Sequence, residues 1–200
     1  MEWENKVIVV DDILPKKQQE DLKRILFGNQ FPWHFIPDVT GGASKDGRPA
    51  FNNKLIDDGK VNVGGEPLKL FQQLINNSLA KLYEEVNVKA TYELFRLRTI
   101  LQLPLANLVG SKLDAHHIDY YKRHLSILYY VLDADGDTVI FENMYHPNDT
   151  KVPEPDELIV KKKVTPKQGR VVIFDGYHWH TATQPEKNIR CVINSNVLQT

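Results

Sequence analysis

Helical spacing in the first half of the chain and two-residue alternation in the second predict an α+β protein, mainly β, with N-terminal helices supporting an antiparallel sandwich or barrel. Before position 87, apolar residues recur at intervals of three and four. From Tyr92 onward they recur at intervals of two, in short runs separated by turn residues. At 200 residues the chain is long enough for one substantial core, and no repeat, low-complexity tract or linker divides it. One domain over residues 1–200 is expected, with helical support over about 1–90 and a barrel core over about 91–200.

The β-branched run Val7–Val10 reads as a strand. Leu14 to Phe27 reads as a helix, with Asp12 as a cap, Pro15 in the first turn, Leu22, Ile25 and Leu26 as its apolar stripe and Gly28 as its stop. Phe31-Pro32-Trp33 is an aromatic corner. Between Val39 and Gly65 the periodicity dissolves among Gly41, Gly42, Gly47, Gly59, Gly64 and Gly65, which predicts a disordered or functional loop. Pro67 to Val86 returns to helical spacing through Leu68, Phe71, Ile75, Leu79 and Leu82. Tyr92–Gln102 then alternates, with Leu94, Arg96, Arg98 and Ile100 on one face. Further strands are expected at His124–Leu132, Thr138–Glu142, Leu158–Val164, Arg170–Phe174 and Arg190–Leu198, the first two joined as a hairpin through Asp133–Asp137.

Composition narrows the function classes. A net charge of -1 offers no general attraction to nucleic acid or to an anionic membrane. Lys161-Lys162-Lys163 is the densest basic run and reads as a solvated strand edge. Cys191 is the one cysteine, so no disulfide forms within the chain, and its alternating surroundings predict a buried small hydrophobe. The opening MEWENKVIVVDD has acids where a secretory leader needs bases, and no run approaches the roughly 20 apolar residues of a spanning helix. A soluble, cytoplasmic protein without membrane contact is expected.

The chemistry is concentrated in the second half. In extended chain His117 and Asp119 face the same way, so an imidazole and a carboxylate can reach one metal ion. A third ligand must come from elsewhere, and Tyr177-His178-Trp179-His180 offers His178 or His180. Two histidines, one carboxylate and open positions suit non-haem Fe(II), although His-x-Asp alone is a weak signal among seven histidines. Arg190 opens the last alternating strand, where a guanidinium can pair with a carboxylate near the metal. Of Tyr129 and Tyr130, alternation turns one inward, and a buried phenol needs a partner.

His117-Ile118-Asp119, Leu125–Tyr130, Pro166–Phe174 and His180 through Arg190, taken in that order and spacing, resemble the Fe(II)- and 2-oxoglutarate-dependent dioxygenases, in particular their prolyl hydroxylase-like branch. The resemblance covers roughly Tyr92 to Val197. It implies a double-stranded β-helix core of the jelly-roll or cupin type, with iron held by His117, Asp119 and His180. Arg190 would bind the distal carboxylate of 2-oxoglutarate with Tyr130 as helper. Position relative to Pro185 and Arg190 favours His180 over His178. His116 has no acid two residues on, and His34, His124 and His146 read as surface or core residues. O2 is the co-reactant, with ascorbate as an added stimulant.

The implied reaction is hydroxylation of a C–H bond, foremost in prolyl residues of a peptide or protein. A small molecule such as a free amino acid is the alternative substrate. Val39–Gly65 and Asn143–Pro155 are the two segments expected to cover it. The nucleic-acid-demethylating branch carries a second arginine six residues after the first, and that position here is Asn196. A β-barrel binding module without catalysis and a zinc hydrolase built on His178 and His180 complete the alternatives. Replacing His117 or Asp119 is expected to abolish turnover with little loss of fold.

Overall fold

The computed structural model describes residues 5–39, 47–62, 66–86, 91–108, 111–149 and 151–200. Its elements run β1 (Val7–Val10), α1 (Lys16–Leu26), β2 (His34–Ile36), β3 (Ala50–Asp57), β4 (Lys60–Val61), α2 (Glu66–Val86), β5 (Tyr92–Gln102), β6 (His124–Tyr130), β7 (Thr138–Met144), a 3-10 turn (Pro155–Glu157), β8 (Val160–Val164), β9 (Val171–Asp175), β10 (His178–Ala182) and β11 (Arg190–Gln199). A large antiparallel sheet has the order β1-β9-β6-β11-β5-β3-β2, with β4 on β3. A smaller one has the order β10-β7-β8. Mostly β, with helices on one side, the chain has the expected class.

Two-residue alternation explains how the large sheet is buried on both faces. From β6, Leu125, Ile127 and Tyr129 point to the helix side. There they pack with Val171 and Ile173 of β9, Leu22 and Leu26 of α1, and Phe71, Leu74 and Ile75 of α2. Leu128 and Tyr130 point the other way, against Val172, Phe174, Val192 and Ile140 between the sheets. Each such side chain contributes roughly 1.5–3 kcal/mol by leaving water. Leu22 is fully buried on the α1 stripe, so Leu22→Ala would remove about 2–5 kcal/mol.

Tyr129 and Tyr130 alternate as expected, Tyr130 toward the small sheet and Tyr129 toward the helices, so both are fully buried. Three expectations need correcting. Asp133–Asp137 does not close a hairpin: β6 pairs with β9 and β11, β7 with β8 and β10, so the turn crosses between sheets. Local turn chemistry marks a reversal but not the partner. The stretch Val39–Gly65 is not structureless, since Ala50–Asp57 pairs with β5; residues 40–46 and 63–65 lie outside the described residues. Polar residues hid this strand: Asn53 is buried and donates to Pro32 O at 2.8 Å, where a hydrophobe would be expected. Finally, α1 is capped at Pro15 without a side-chain bond. Asp12 instead has φ 53° and accepts from Lys16 Nζ at 2.5 Å and Gln19 Nε2 at 3.0 Å.

Other details match. β8 is the edge of the small sheet; Lys162 and Lys163 are exposed and Lys161 pairs with Glu142 at 2.7 Å. Cys191 is a buried free thiol. No helix among the described residues is long and apolar enough to cross a membrane.

Candidate metal centre

The segment before β6 runs beside β10. His117 N–H donates to His180 O at 2.9 Å and His180 N–H returns to His117 O at 3.0 Å. This bridge, with a second at Leu113 and Thr183, sets the two imidazole rings 4.6 Å apart between centroids. His117 Nε2 lies 3.9 Å from Asp119 Oδ1, and His180 Nε2 lies 3.7 Å from Asp119 Oδ2. The three ligand atoms all lie within 4.8 Å of one another, and no other such group occurs among the described residues.

Both rings are oriented from behind. His117 Nδ1 faces Ala115 O at 3.1 Å and His180 Nδ1 faces His178 O at 2.9 Å. A Nδ1–H bonded to a carbonyl leaves the Nε2 lone pair free for a cation. Surrounding protein, and after it the neighbouring His180, hold the His117 imidazole down at about 4, so it is neutral at physiological pH. Its outer face nevertheless reaches solvent, 54% of the side chain being exposed. His178 is fully buried with Nδ1 on Phe141 O at 2.8 Å and is not in the cluster. A register shift of β10 against β7 separates the two histidines.

Asp119 is gripped more tightly than its spacing foretold. Its side chain is 1% exposed and meets Arg98 Nη2 at 2.5 Å. It also accepts from Ser126 Oγ at 3.2 Å, Asn194 Nδ2 at 3.1 Å and Asn196 Nδ2 at 2.9 Å. Burial alone would raise this carboxyl, but Arg98, with His180 and His117, outweighs it and holds it well below the usual carboxylate range. Arg96, on the same face of β5, donates to Asp119 O at 2.7 Å. Two arginines two apart on a face otherwise carrying Leu94 and Ile100 were the legible signal for this clamp. The asparagines gave none.

These ligands open into a cavity lined by apolar Ile100, Leu128, Phe174 and Val192 and by polar Gln102, Asp114, Ser126, Thr138, Thr181, Arg190 and Asn194. Arg190, 4% exposed, donates Nε–H to Gly136 O, Nη1–H to Gln102 Oε1 and Nη2–H to Thr138 Oγ1, each at 2.9 Å. A Cβ at Gly136 would stand 2.6 Å from Thr183 O and 3.0 Å from Arg190 Cδ, so only glycine lets this side chain pass. Three of the five guanidinium N–H groups are thus committed to neutral acceptors. Burial pulls the guanidinium below its usual range. Tyr130 lies beside it but outside the lining, and donates to Thr138 Oγ1 at 2.8 Å; burial pushes its phenol up to about 12. Thr138 Oγ1 thus accepts from both Tyr130 and Arg190. Tyr129 OH has no hydrogen-bond partner among the described residues.

Val39 belongs to the cavity lining, whereas no described residue of Asn143–Pro155 does. Tyr145 packs outside the barrel, on Val139, Phe141 and Trp179 of the small sheet, and Pro153 O meets His116 Nε2 at 2.8 Å. The donor set, two lone-pair-bearing imidazole nitrogens and one charged carboxylate, fits a divalent first-row metal with open positions.

No family model matches the chain, and neither does any curated protein. Solved structures do. An oxidoreductase of the 2OG-Fe(II) oxygenase family from Burkholderia pseudomallei is similar with a TM-score of 0.68 at 13% identity, over 96% of this chain and 84% of that one. A prolyl hydroxylase from Trichoplax adhaerens, in complex with a hypoxia inducible factor oxygen degradation domain peptide fragment, gives 0.62 at 16%, over 97% and 84%. The non-heme alpha ketoglutarate dependent epimerase SnoN from nogalamycin biosynthesis gives 0.65 at 12%, over 96% and 76%. The shared fold is the double-stranded β-helix that the sequence resemblance implied.

Proposed function

We propose that this chain is an Fe(II)- and 2-oxoglutarate-dependent oxygenase that hydroxylates a C–H bond, with prolyl residues of a peptide or protein as its substrate. One observation carries the reading: the His117, Asp119 and His180 ligand atoms meet in a cavity that also holds a buried guanidinium, Arg190, with three of its five N–H groups bonded among the described residues. The three side chains would hold the iron. Iron with 2-oxoglutarate and O2 would supply an oxidant for C–H bonds, one oxygen atom going to succinate as carbon dioxide is lost and the other to the substrate. Arg190 would take the distal carboxylate through its two remaining N–H groups, a charge-assisted bond, while Thr138 and Gln102 fix its plane. Ile100, Leu128, Phe174 and Val192 keep bulk water from the reacting atoms. His117, the exposed ligand, faces the side from which substrate would enter, and the Val39 segment is our candidate for covering it.

Support for the peptide substrate comes from the prolyl hydroxylases among similar structures, one of them bound to a peptide. SnoN keeps a small-molecule substrate as the second reading. Demethylation of nucleic acid loses support at Asn196, where that branch has its second arginine and this chain has a fully buried amide bonded to Asp119. Cys191, buried and free, fits a reducing compartment such as the cytoplasm.

The test is mass spectrometry of proline-containing peptides incubated with enzyme, Fe(II), 2-oxoglutarate and O2, with ascorbate present and omitted. A gain of one oxygen on proline, matched by succinate, is expected. Succinate without peptide oxidation would move the substrate to the small-molecule class. No succinate, with or without substrate candidates, would overturn the oxygenase.

A further inference from the structure

The cavity lining contains two carboxylates, and each is matched to an arginine that is not itself part of the lining. Asp119 meets Arg98. Asp114, whose side chain is 9% exposed, accepts from Arg48 Nη1 at 2.7 Å. The second oxygen of Asp114 accepts from Gln102 Nε2 at 2.8 Å, and Gln102 Oε1 accepts from Arg190 at 2.9 Å. A chain of contacts therefore runs Arg48, Asp114, Gln102, Arg190. Arg48 is buried at 3% exposure and further anchored by Leu113 O at 2.8 Å and Ser111 O at 2.5 Å. Among the described residues the acceptors of Arg190 are all neutral.

We propose that Arg48 is a positioning residue that engages Asp114 and so keeps the positive charge of Arg190 uncompensated for a dianionic ligand. The inference rests on the 2-oxoglutarate reading of the site and assigns residues which that reading does not use. Without Arg48, Asp114 would be a buried carboxylate one amide away from the anion anchor. It would oppose an incoming dicarboxylate and draw Arg190 inward, and charges at that separation in a poorly screened interior interact strongly. Gln102 is the neutral spacer: both ends of its amide are committed, so its orientation is set and it adds no charge of its own.

Calorimetric binding of 2-oxoglutarate to Mn(II)-loaded protein without oxygen tests this. Arg48→Met should weaken binding by about tenfold or more, the effect of one nearby unmatched charge. Arg48→Met with Asp114→Asn should return it to within about threefold of the parent. Arg48→Lys, which keeps the charge, should bind like the parent. 2-Oxobutyrate, which lacks the distal carboxylate, should bind the parent and Arg48→Met alike. If Arg48 merely clamps the segment 111–113, Asp114→Asn will fail to rescue, both ligands will lose affinity and Arg48→Lys will be impaired; that pattern overturns the proposal. Should Arg48→Met not fold, Arg48→Lys and Asp114→Asn decide it: each must bind 2-oxoglutarate at least as well as the parent. Parent protein that binds 2-oxoglutarate while Arg48→Met binds it equally sinks the inference alone. Parent protein that binds none sinks the reading of the site and the inference with it.

Discussion

His117 and Asp119 differ in what surrounds them. Asp119 is buried and matched to Arg98, whose side chain is itself only 19% exposed. Asp119→Asn keeps the shape but leaves that guanidinium without its anion, and should destabilise the fold by about 3 kcal/mol, the lower end for breaking a buried pair. That clamp argues against the sequence-based expectation of little fold loss at this residue. His117 is half exposed, and His117→Ala should move stability by less than about 1 kcal/mol. Urea denaturation of both variants without added metal separates them. Equal losses would mean that the Asp119 clamp is not structural. At Arg190, substitution by Ala should raise the 2-oxoglutarate requirement by about tenfold to a few hundredfold, a charge-assisted bond being worth roughly 1.5–3 kcal/mol. An unchanged requirement in steady-state kinetics would move the carboxylate anchor elsewhere.

At the scale of elements, the first strand shows how a short edge is retained. β1 is four residues long and, among the described residues, pairs only with β9. Its C-terminal end is tied by Asp11, which accepts from Arg170 Nε at 2.6 Å and Lys167 Nζ at 2.8 Å. Hydrogen bonds from Arg170 and then Lys167 hold the Asp11 carboxyl below the usual carboxylate range. A carboxyl depressed in the folded state contributes stability above its unfolded pKa, near 3.9, and loses it as pH falls further. Asp11 is 37% exposed, so solvent screening limits the effect to about 1 kcal/mol. Asp11→Asn should therefore be less stable than the parent from pH 8 to 5, with the gap closing below about pH 4. Chemical denaturation across that range is the measurement, and a gap that persists in acid would assign the loss to packing instead.

Over the whole molecule, what could be read in advance was whatever repeats locally. Period two located β5, β6, β9 and β11, and period three to four located both helices. His117 and Asp119 were visible because residues two apart in extended chain face the same way, although the structure gives them an isolated bridge and a bend rather than a strand. Pairing partners were not visible: nothing in Asp133–Asp137 says that β6 and β7 lie in different sheets, and the asparagines of β3 concealed a strand. Arg48, Gln102 and Asp114 act from three separate segments, a proximity that exists only once the sheets assemble. That assembly has a measurable consequence. Asp119 is held from the large sheet by Arg98 of β5, Ser126 of β6 and Asn194 and Asn196 of β11, whereas His180 stands on β10 of the small sheet. A cation shared by Asp119 and His180 would join the two sheets at the cavity. Metal at a hundredfold excess over its dissociation constant stabilises the fold by about 2.7 kcal/mol, which for a chain of 200 residues is a rise in melting temperature of about 5–10 °C. Hydrogen exchange should slow most along β7, β8 and β10, the sheet with fewer strands to hold it. His180→Ala should abolish both effects and His178→Ala should preserve them. A melting temperature indifferent to Mn(II), or protection confined to the large sheet, would mean that the three side chains do not share an ion.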